Sequence, residues 1–405
     1  MTAIQHQPFK LHAVPNWIPP LVGIHPFTGI NSDGPFVESE RPLNAGYNTL
    51  TFRSQPNTLK DMWSLRAIAW IIIGITAGAA LASPAAGGGK ATQARRLRVI
   101  VTSDFPPLPV THSDPDDVQS LVRFLLYANE FDIEGLIASA GTYGMVAEKK
   151  NILAVLAQYD KVDENLRRRD PKYPTADALR AVTFEGRGNN HGIRIKWGCG
   201  KQPPGEIIGK GMDSEASNAI IAAANKPDSR PIYIGVWGGP REVAQAIWDV
   251  RNSRSELELK AFIGKLRVFL IGCQDATHEW LMNEFPELFV IESRTTYQGM
   301  FGSDNRAWVE ENIINNHGPL GAIYPPAAIA GHGVIEGDSP AFLYLVSANR
   351  GINDPEDPTQ PGWGGQYVRK AGTNHYVDGP GGTTISKWKS DFQAEFKERS
   401  DWMLP

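Results

Sequence analysis

The run TSDFPPLPVTHSDPDDVQSLVRFLLYANEFDIEGLIASAGT, from Thr102 to Thr142, carries Asp104, Asp114, Asp116 and Asp117, with no lysine or arginine between the first and the last of them. Carboxylates gathered without a counter-charge repel one another, and a bound hard cation relieves that repulsion. A donor set of oxygen alone favours Ca²⁺ or Mg²⁺ over Zn²⁺. A purely structural account competes for three of these residues. Asp114 has the side chain of a helix N-cap, Pro115 suits a first helical position, and Asp116 and Asp117 complement the helix dipole. Asp104 has no place in that account, and it is the residue that argues for a site.

The elements that must position these carboxylates alternate along the chain. LRVIVTSD, DIEGLIASA, RPIYIGVWGG, LRVFLIGCQD and ELFVIES are short, rich in Val, Ile and Leu, and bounded by Gly, Asp or Ser. That is the pattern of parallel strands buried on both faces. Between them, PDDVQSLVRFLLYANE places Val118, Leu121, Val122, Leu125 and Leu126 on one helical face, and SEASNAIIAAANK, PREVAQAIWDVRN and NRAWVEENIINNHG follow similar rules. The series predicts an α/β fold, a doubly wound, mostly parallel sheet of Rossmann-like character, with ligands at the carboxyl ends of the strands. Asp104 then closes the first strand and Asp116 and Asp117 open the next helix. No internal repeat is visible.

Composition narrows the partners. A chain of 405 residues with a formal charge of -4 gives no electrostatic reason for nucleic acid or an anionic membrane to bind. Small neutral substrates fit better. The apolar run Ile68 to Ala82 is short for a bilayer span and ends in Ala-Leu-Ala, so residues 62–82 read as a secretory signal peptide. Residues 1–61 ahead of it read as an over-extended frame, with Met62 the true start, or as a disordered tail before a signal anchor. Residues 83–96 form a linker and 97–405 the folded domain. The expectation is a secreted protein with no stable membrane span after cleavage, and a homo-oligomer stays open. The two cysteines, Cys199 and Cys273, could pair after export; two separate thiols, with Cys273 packed at a strand end, are an equal reading.

The quoted segments also carry a resemblance. A strand-end aspartate, a D-D pair opening a helix and then DIEGLIASAGT is similar to the nucleoside hydrolase superfamily, and DPDDVQSLVRFLLYANEFDIEGLIAS, FPELFVIES, GPLGAIYP, EGDSPAFLYLVS and DPEDPTQPGWGGQY resemble the bacterial cellulose-binding, nucleoside-hydrolase-like domain family. The resemblance implies bound Ca²⁺, with Asp104 a ligand that also activates the attacking water and Asp117 a second ligand. It implies further ligation by the Trp237 carbonyl ahead of Gly238-Gly239 and by Asp338, with Asp116 on a sugar hydroxyl. Departures accompany it. Thr142 stands where the superfamily has an asparagine, Gly337 where many members have a histidine, and Glu279 matches a sugar-binding glutamate only by its distance from Pro286. Among the histidines of the exported part, His332 is the first choice for contact with the substrate because it lies just ahead of Asp338. Trp363 and Tyr367 could stack on a sugar, although Gly-rich loops with one tryptophan are usually packing corners.

These readings give the functional expectation: Ca²⁺-dependent hydrolysis of an N-glycosidic or related bond in a small glycoside or polysaccharide, with Asp104 and Asp116 catalytic. The alternative is a non-catalytic carbohydrate-binding protein on the same fold, which the missing asparagine and histidine favour. A phosphohydrolase of the D-x-D-x-T type and a P-loop enzyme are excluded by the absence of either motif.

Overall fold

The computed structural model describes residues 96–110, 115–196, 198–326 and 332–405, all within one compact unit, Gly87–Pro405. The leader, almost all of the linker, His112 and Asp114 lie outside the described residues. Among the described residues eight strands make one sheet: β1 (Leu97–Ser103), β2 (Phe131–Ala138), β3 (Thr183–Glu185), β4 (Ile232–Val236), β5 (Leu266–Ile271), β6 (Phe289–Ser293), β7 (Tyr367–Arg369) and β8 (His375–Asp378). Their spatial order is β3-β2-β1-β4-β5-β6-β8-β7. Every neighbouring pair is parallel except β7 with β8 at one edge. The fold is therefore α/β with a mostly parallel sheet, as the alternation of segments predicts.

Successive strand residues feed two separate cores, because a strand's side chains alternate between faces. Val99, Val101, Tyr233, Phe269 and Ile291 pack into one cluster, whereas Ile100, Ile232, Ile234, Val268 and Val290 pack into the other. Helices cover both faces: α1 (Asp116–Leu126), α2 (Lys149–Tyr159) and α6 (Pro340–Asn349) on the first, and α3 (Glu215–Asn225), α4 (Arg241–Ser253) and α5 (Ala276–Glu284) on the second. Ser214 caps α3 by accepting from the Ser217 amide, and Asp275 caps α5 by accepting from the Thr277 amide. A last helix, α7 (Lys389–Asp401), returns the chain to α1.

The strand order reverses direction between β1 and β4. That gap is the crevice where parallel α/β sheets bind ligands, outside the carboxyl ends of the strands. Asp104 leaves β1 there and Trp237 leaves β4.

Two expectations need correction. NRAWVEENIINNHG is not one α-helix: it begins as a short helix at Arg306–Val309 and widens into a π-turn at Glu310–Ile314. Cys199 and Cys273 are not separate thiols. They form a disulfide with Cα atoms 5.4 Å apart, because the long loop after β3 folds back onto the end of β5.

Candidate functional site

A cleft of ≈ 850 Å³ opens at the carboxyl ends of β1, β4, β5 and β6, lined by Asp104, Asp116, Asp117, Thr142, Trp237 and Asp338 among others. A second hollow, ≈ 820 Å³, lies at the turn joining β7 to β8. It is a shallow surface depression whose only acid is Glu287, so the chemistry belongs to the first.

The acidic wall starts with α1. Among the described residues no side chain caps this helix; Pro115 is its N-cap residue, with φ -80° and ψ -10°, and Asp116 and Asp117 occupy the first turn. The helix dipole favours negative charge there. Ser103, the last residue of β1, donates its hydroxyl to Asp117 Oδ1. Asp338 comes from the loop that precedes α6 and is 3% exposed. Oxygens of Asp116, Asp117 and Asp338 all lie within 4.8 Å of one another. Their donor chemistry fits a hard divalent cation, since it is all oxygen and triply anionic.

This grouping differs from the set that the resemblance implies. Asp116, expected on a sugar hydroxyl, joins the carboxylate trio, and Asp104 does not. Asp104 Oδ2 instead accepts the Tyr143 amide at 3.1 Å and the Gly144 amide at 2.7 Å, because the loop after β2 wraps the end of β1. The Trp237 carbonyl accepts a hydrogen bond from the Gln274 side-chain amide. Gly238 follows it, and a Cβ there would stand 2.6 Å from Asp104 Oδ1, so only glycine allows this close approach.

Two fully buried residues of α1 sew the Asp338 loop to the helix. The Gln119 amide donates to the carbonyls of Pro325 at 2.7 Å and Gly333 at 2.9 Å, and accepts from the amides of Ile335 at 2.9 Å and Glu336 at 3.1 Å. Its two hydrogens and two lone pairs are all used. Arg123 donates to Glu336, which also accepts from Tyr324 at 2.6 Å and Ser339 at 2.8 Å. Burial opposes a charged Arg123, but the Glu336 carboxylate beside it raises its pKa above the ordinary arginine value.

The facing wall is made of loops. Thr142 donates its hydroxyl to the Gln274 carbonyl at 2.7 Å and its amide to Gln274 Oε1 at 3.1 Å, and the Gly198 amide donates to the Thr142 hydroxyl at 3.1 Å. The Cys199–Cys273 bridge clamps two of these segments, those of Gly198 and Gln274, to each other. Ring nitrogen and sulfur atoms of His278 and the two cysteines lie within 4.8 Å, but bridged sulfurs are not thiolate ligands. His278 binds Glu292 at 2.7 Å, and Arg294, on the cleft lining, donates to the same carboxylate at 2.6 Å.

A side chain at Gly337 would crowd the carboxylate of Asp116. A Cβ there would meet Asp116 Oδ2 at 2.8 Å and Tyr297 at 3.1 Å. Neither His332 nor Glu279 lines the cleft. His332 pairs backbone to backbone with Asn305, and Glu279 sits on the exposed side of α5. Trp363 and Tyr367 are 3% and 2% exposed and are packing residues, with no face for a sugar. The reading from sequence missed Gln274, Arg294, Tyr143, Tyr297 and Phe301. Gln274 stands inside the quoted LIGCQD and Tyr143 directly follows AGT, but nothing in their spacing marks them.

A mostly parallel α/β sheet with an acidic crevice at its switch point defines an α/β protein that takes its ligand at the strand ends. The solved structure of a nucleoside hydrolase-related hypothetical protein from Saccharophagus degradans, described as associated with carbohydrate metabolism, is 35% identical with a TM-score of 0.63, covering 77% of this chain and 72% of that one. The family model described as "Cellulose-binding Sde182, nucleoside hydrolase-like domain" matches residues 98–367, and the chain belongs to that family. No curated protein matches the chain.

Proposed function

We propose that this protein is exported, binds a carbohydrate in the cleft, and hydrolyses an N-glycosidic or related glycosidic bond in a Ca²⁺-dependent manner. The observation that carries the reading is the convergence of Asp116, Asp117 and Asp338 within 4.8 Å at the sheet's switch point. Those residues would hold the ion, which when bound would offset most of the trio's charge and polarise a hydroxyl or water. Asp104 then takes the proton of the water that attacks the anomeric carbon. The glycosidic bond breaks through an oxocarbenium-like state, its electron pair goes with the leaving group, and the water oxygen bonds to the anomeric carbon. The leaving group takes up a proton from solvent while Asp104 returns its own, so that the products are a free sugar and the protonated leaving group. Asp116 accepts a hydrogen bond from a sugar hydroxyl, and Arg294 at the cleft mouth is available to an oxygen of the ligand. Export agrees with the leader-like run and with the disulfide. No described helix is long and apolar enough to cross a membrane.

Non-catalytic carbohydrate binding is the second reading, and one observation favours it. No histidine lines the cleft among the described residues, so the leaving group has no imidazole to protonate it. A release assay against nucleosides and aryl glycosides, with and without chelator, separates the two. Chelator-sensitive release supports hydrolysis; glycan binding without release leaves the binder. Ca²⁺ at 100 times its Kd should stabilise the fold by about 2.7 kcal/mol. A Tm indifferent to both Ca²⁺ and chelator would remove the cation from either reading.

A further inference from the structure

The bridge on the loop wall has an imidazole beside it. A ring nitrogen of His278 and the sulfurs of Cys199 and Cys273 all lie within 4.8 Å of one another. His278 is 1% exposed, and its Nε2 meets Glu292 Oε1 at 2.7 Å, which leaves Nδ1 for any further ligand. Arg294 holds the same carboxylate at 2.6 Å. An imidazole fixed through one nitrogen by a buried carboxylate is the arrangement that orients a histidine toward a metal with the other. Cys273 stands just ahead of α5, whose N-terminus favours the thiolate over the thiol.

Bridged, the two sulfurs take no metal; reduced, they are two thiolates next to a fixed imidazole. That donor set suits Zn²⁺ and not the Ca²⁺ or Mg²⁺ that fits the carboxylate trio. Two sulfurs each about 2.3 Å from a tetrahedral Zn²⁺ stand about 3.8 Å from one another, so opening the bridge asks chiefly for side-chain rotation. The Cα atoms, 5.4 Å apart, are already close. Two thiolates and a neutral imidazole cancel the charge of the ion, which suits a partly buried place. We propose that Cys199, Cys273 and His278 form a Zn²⁺ site when the bridge is reduced, so that the ion and the disulfide are interchangeable clamps on the loop wall. An external dithiol opens the bridge: one of its thiolates bonds to one cysteine sulfur, and the electron pair of the S–S bond leaves on the other. Its second thiolate then displaces the first cysteine. The dithiol ends as a disulfide, its two protons pass to Cys199 and Cys273, and Zn²⁺ displaces both protons to solvent as it binds. Cys273 lines the cleft, which gives the ion an entry and a water its place as fourth ligand. The site is distinct from the carboxylate trio and does not rest on the reading of the cleft.

Cobalt absorption on the intact protein tests this. The protein is reduced with dithiothreitol, freed of it without air, and titrated with Co²⁺ and then Zn²⁺ in excess Ca²⁺, which competes for the carboxylates. One Co²⁺ per chain should bind with thiolate-to-cobalt charge-transfer absorption, Zn²⁺ should displace it, and the oxidised protein should show none. Reduction should lower the Tm, and Zn²⁺ should restore it. Glu292→Gln should weaken Zn²⁺ binding about tenfold. His278→Gln, which keeps a donor toward Glu292, should weaken it further and lose the recovery of Tm. Cys199→Ser gives the same loss by a second route, so that a folding defect in His278→Gln does not decide the result. No charge-transfer absorption in the reduced parent, unfolding on reduction, or parent affinity in both His278→Gln and Cys199→Ser overturns the site and leaves the reading of the cleft untouched.

Discussion

On one side of the cleft, Asp116 and Asp117 ride on α1, and Asp338 sits on a loop joined to that helix by the fully buried Gln119, Arg123 and Glu336. On the other side, Thr142, Gln274 and Gly198 come from three separate loops tied by one disulfide and a few hydrogen bonds. The acidic wall has to hold like charges together, so it needs a stiff support whose polar groups are all paired. The loop wall has no such burden. It meets the variable part of a ligand, and loops on a rigid scaffold are where such recognition changes most readily. Thr142, the position where the resemblance implies an asparagine, stands on the loop wall.

The largest expected effect comes from breaking the stiff wall. Arg123→Met leaves Glu336 buried and charged without its partner, which should lower stability by about 3–5 kcal/mol in chemical denaturation. The double change Arg123→Met with Glu336→Leu should recover most of that loss, because two apolar side chains leave no charge unpaired. A double variant as unstable as the single would show that the pair is not the support.

Cutting the loop wall comes next. Cys199→Ser with Cys273→Ser removes a bridge across a sequence separation of 74 and should cost about 2–4 kcal/mol. Glycan affinity should fall as well, while Ca²⁺ affinity by calorimetry stays at the parent value. Equal losses in both affinities would mean that the two walls are one mechanical unit.

Gln119→Met is a gentler break of the stiff wall. It strands two carbonyls and two amides of the Asp338 loop, and should lower apo stability by about 1–3 kcal/mol. It should also weaken Ca²⁺ binding, because Asp338 is no longer held against α1. A stability loss with unchanged Ca²⁺ affinity would make Gln119 structural only.

The smallest effect is a pH dependence on the loop side. Burial alone would raise the Glu292 pKa, but hydrogen bonds from His278 and Arg294 bring it down from the ordinary 4.5 to about 2. A depressed carboxylate contributes stability that is present above about pH 4.5 and is lost as pH falls toward 2. Glu292→Gln should flatten that part of the acid limb in a pH series of unfolding midpoints. An unchanged limb would assign acid sensitivity to other carboxylates.

Much of the scaffold is legible along the chain. The five predicted strands match β1, β2, β4, β5 and β6 within a few residues, because each is a Val/Ile/Leu run buried on both faces. The strands β3, β7 and β8 have three or four residues each and carry too little pattern to read. The motif EGDSPAFLYLVS gives no helical period; α6, which starts within it, is apolar on almost every side, so it has no amphipathic pattern to betray it.

The sequence by itself determined the α/β class, the placing of Asp104 at a strand end, and the pairing of Asp116 with Asp117 at a helix start. These follow from local period and turn chemistry. Only the tertiary structure decided which carboxylates meet, since Asp338 is more than two hundred residues from Asp117 along the chain and its loop is positioned by Gln119. The polar face of α1 shows the same limit. Gln119 and Arg123 look like residues for water, and they are buried because the Asp338 loop and α7 pack over them. Amphipathic spacing states which side of a helix is apolar. Whether the other side meets solvent depends on what the rest of the chain brings to it.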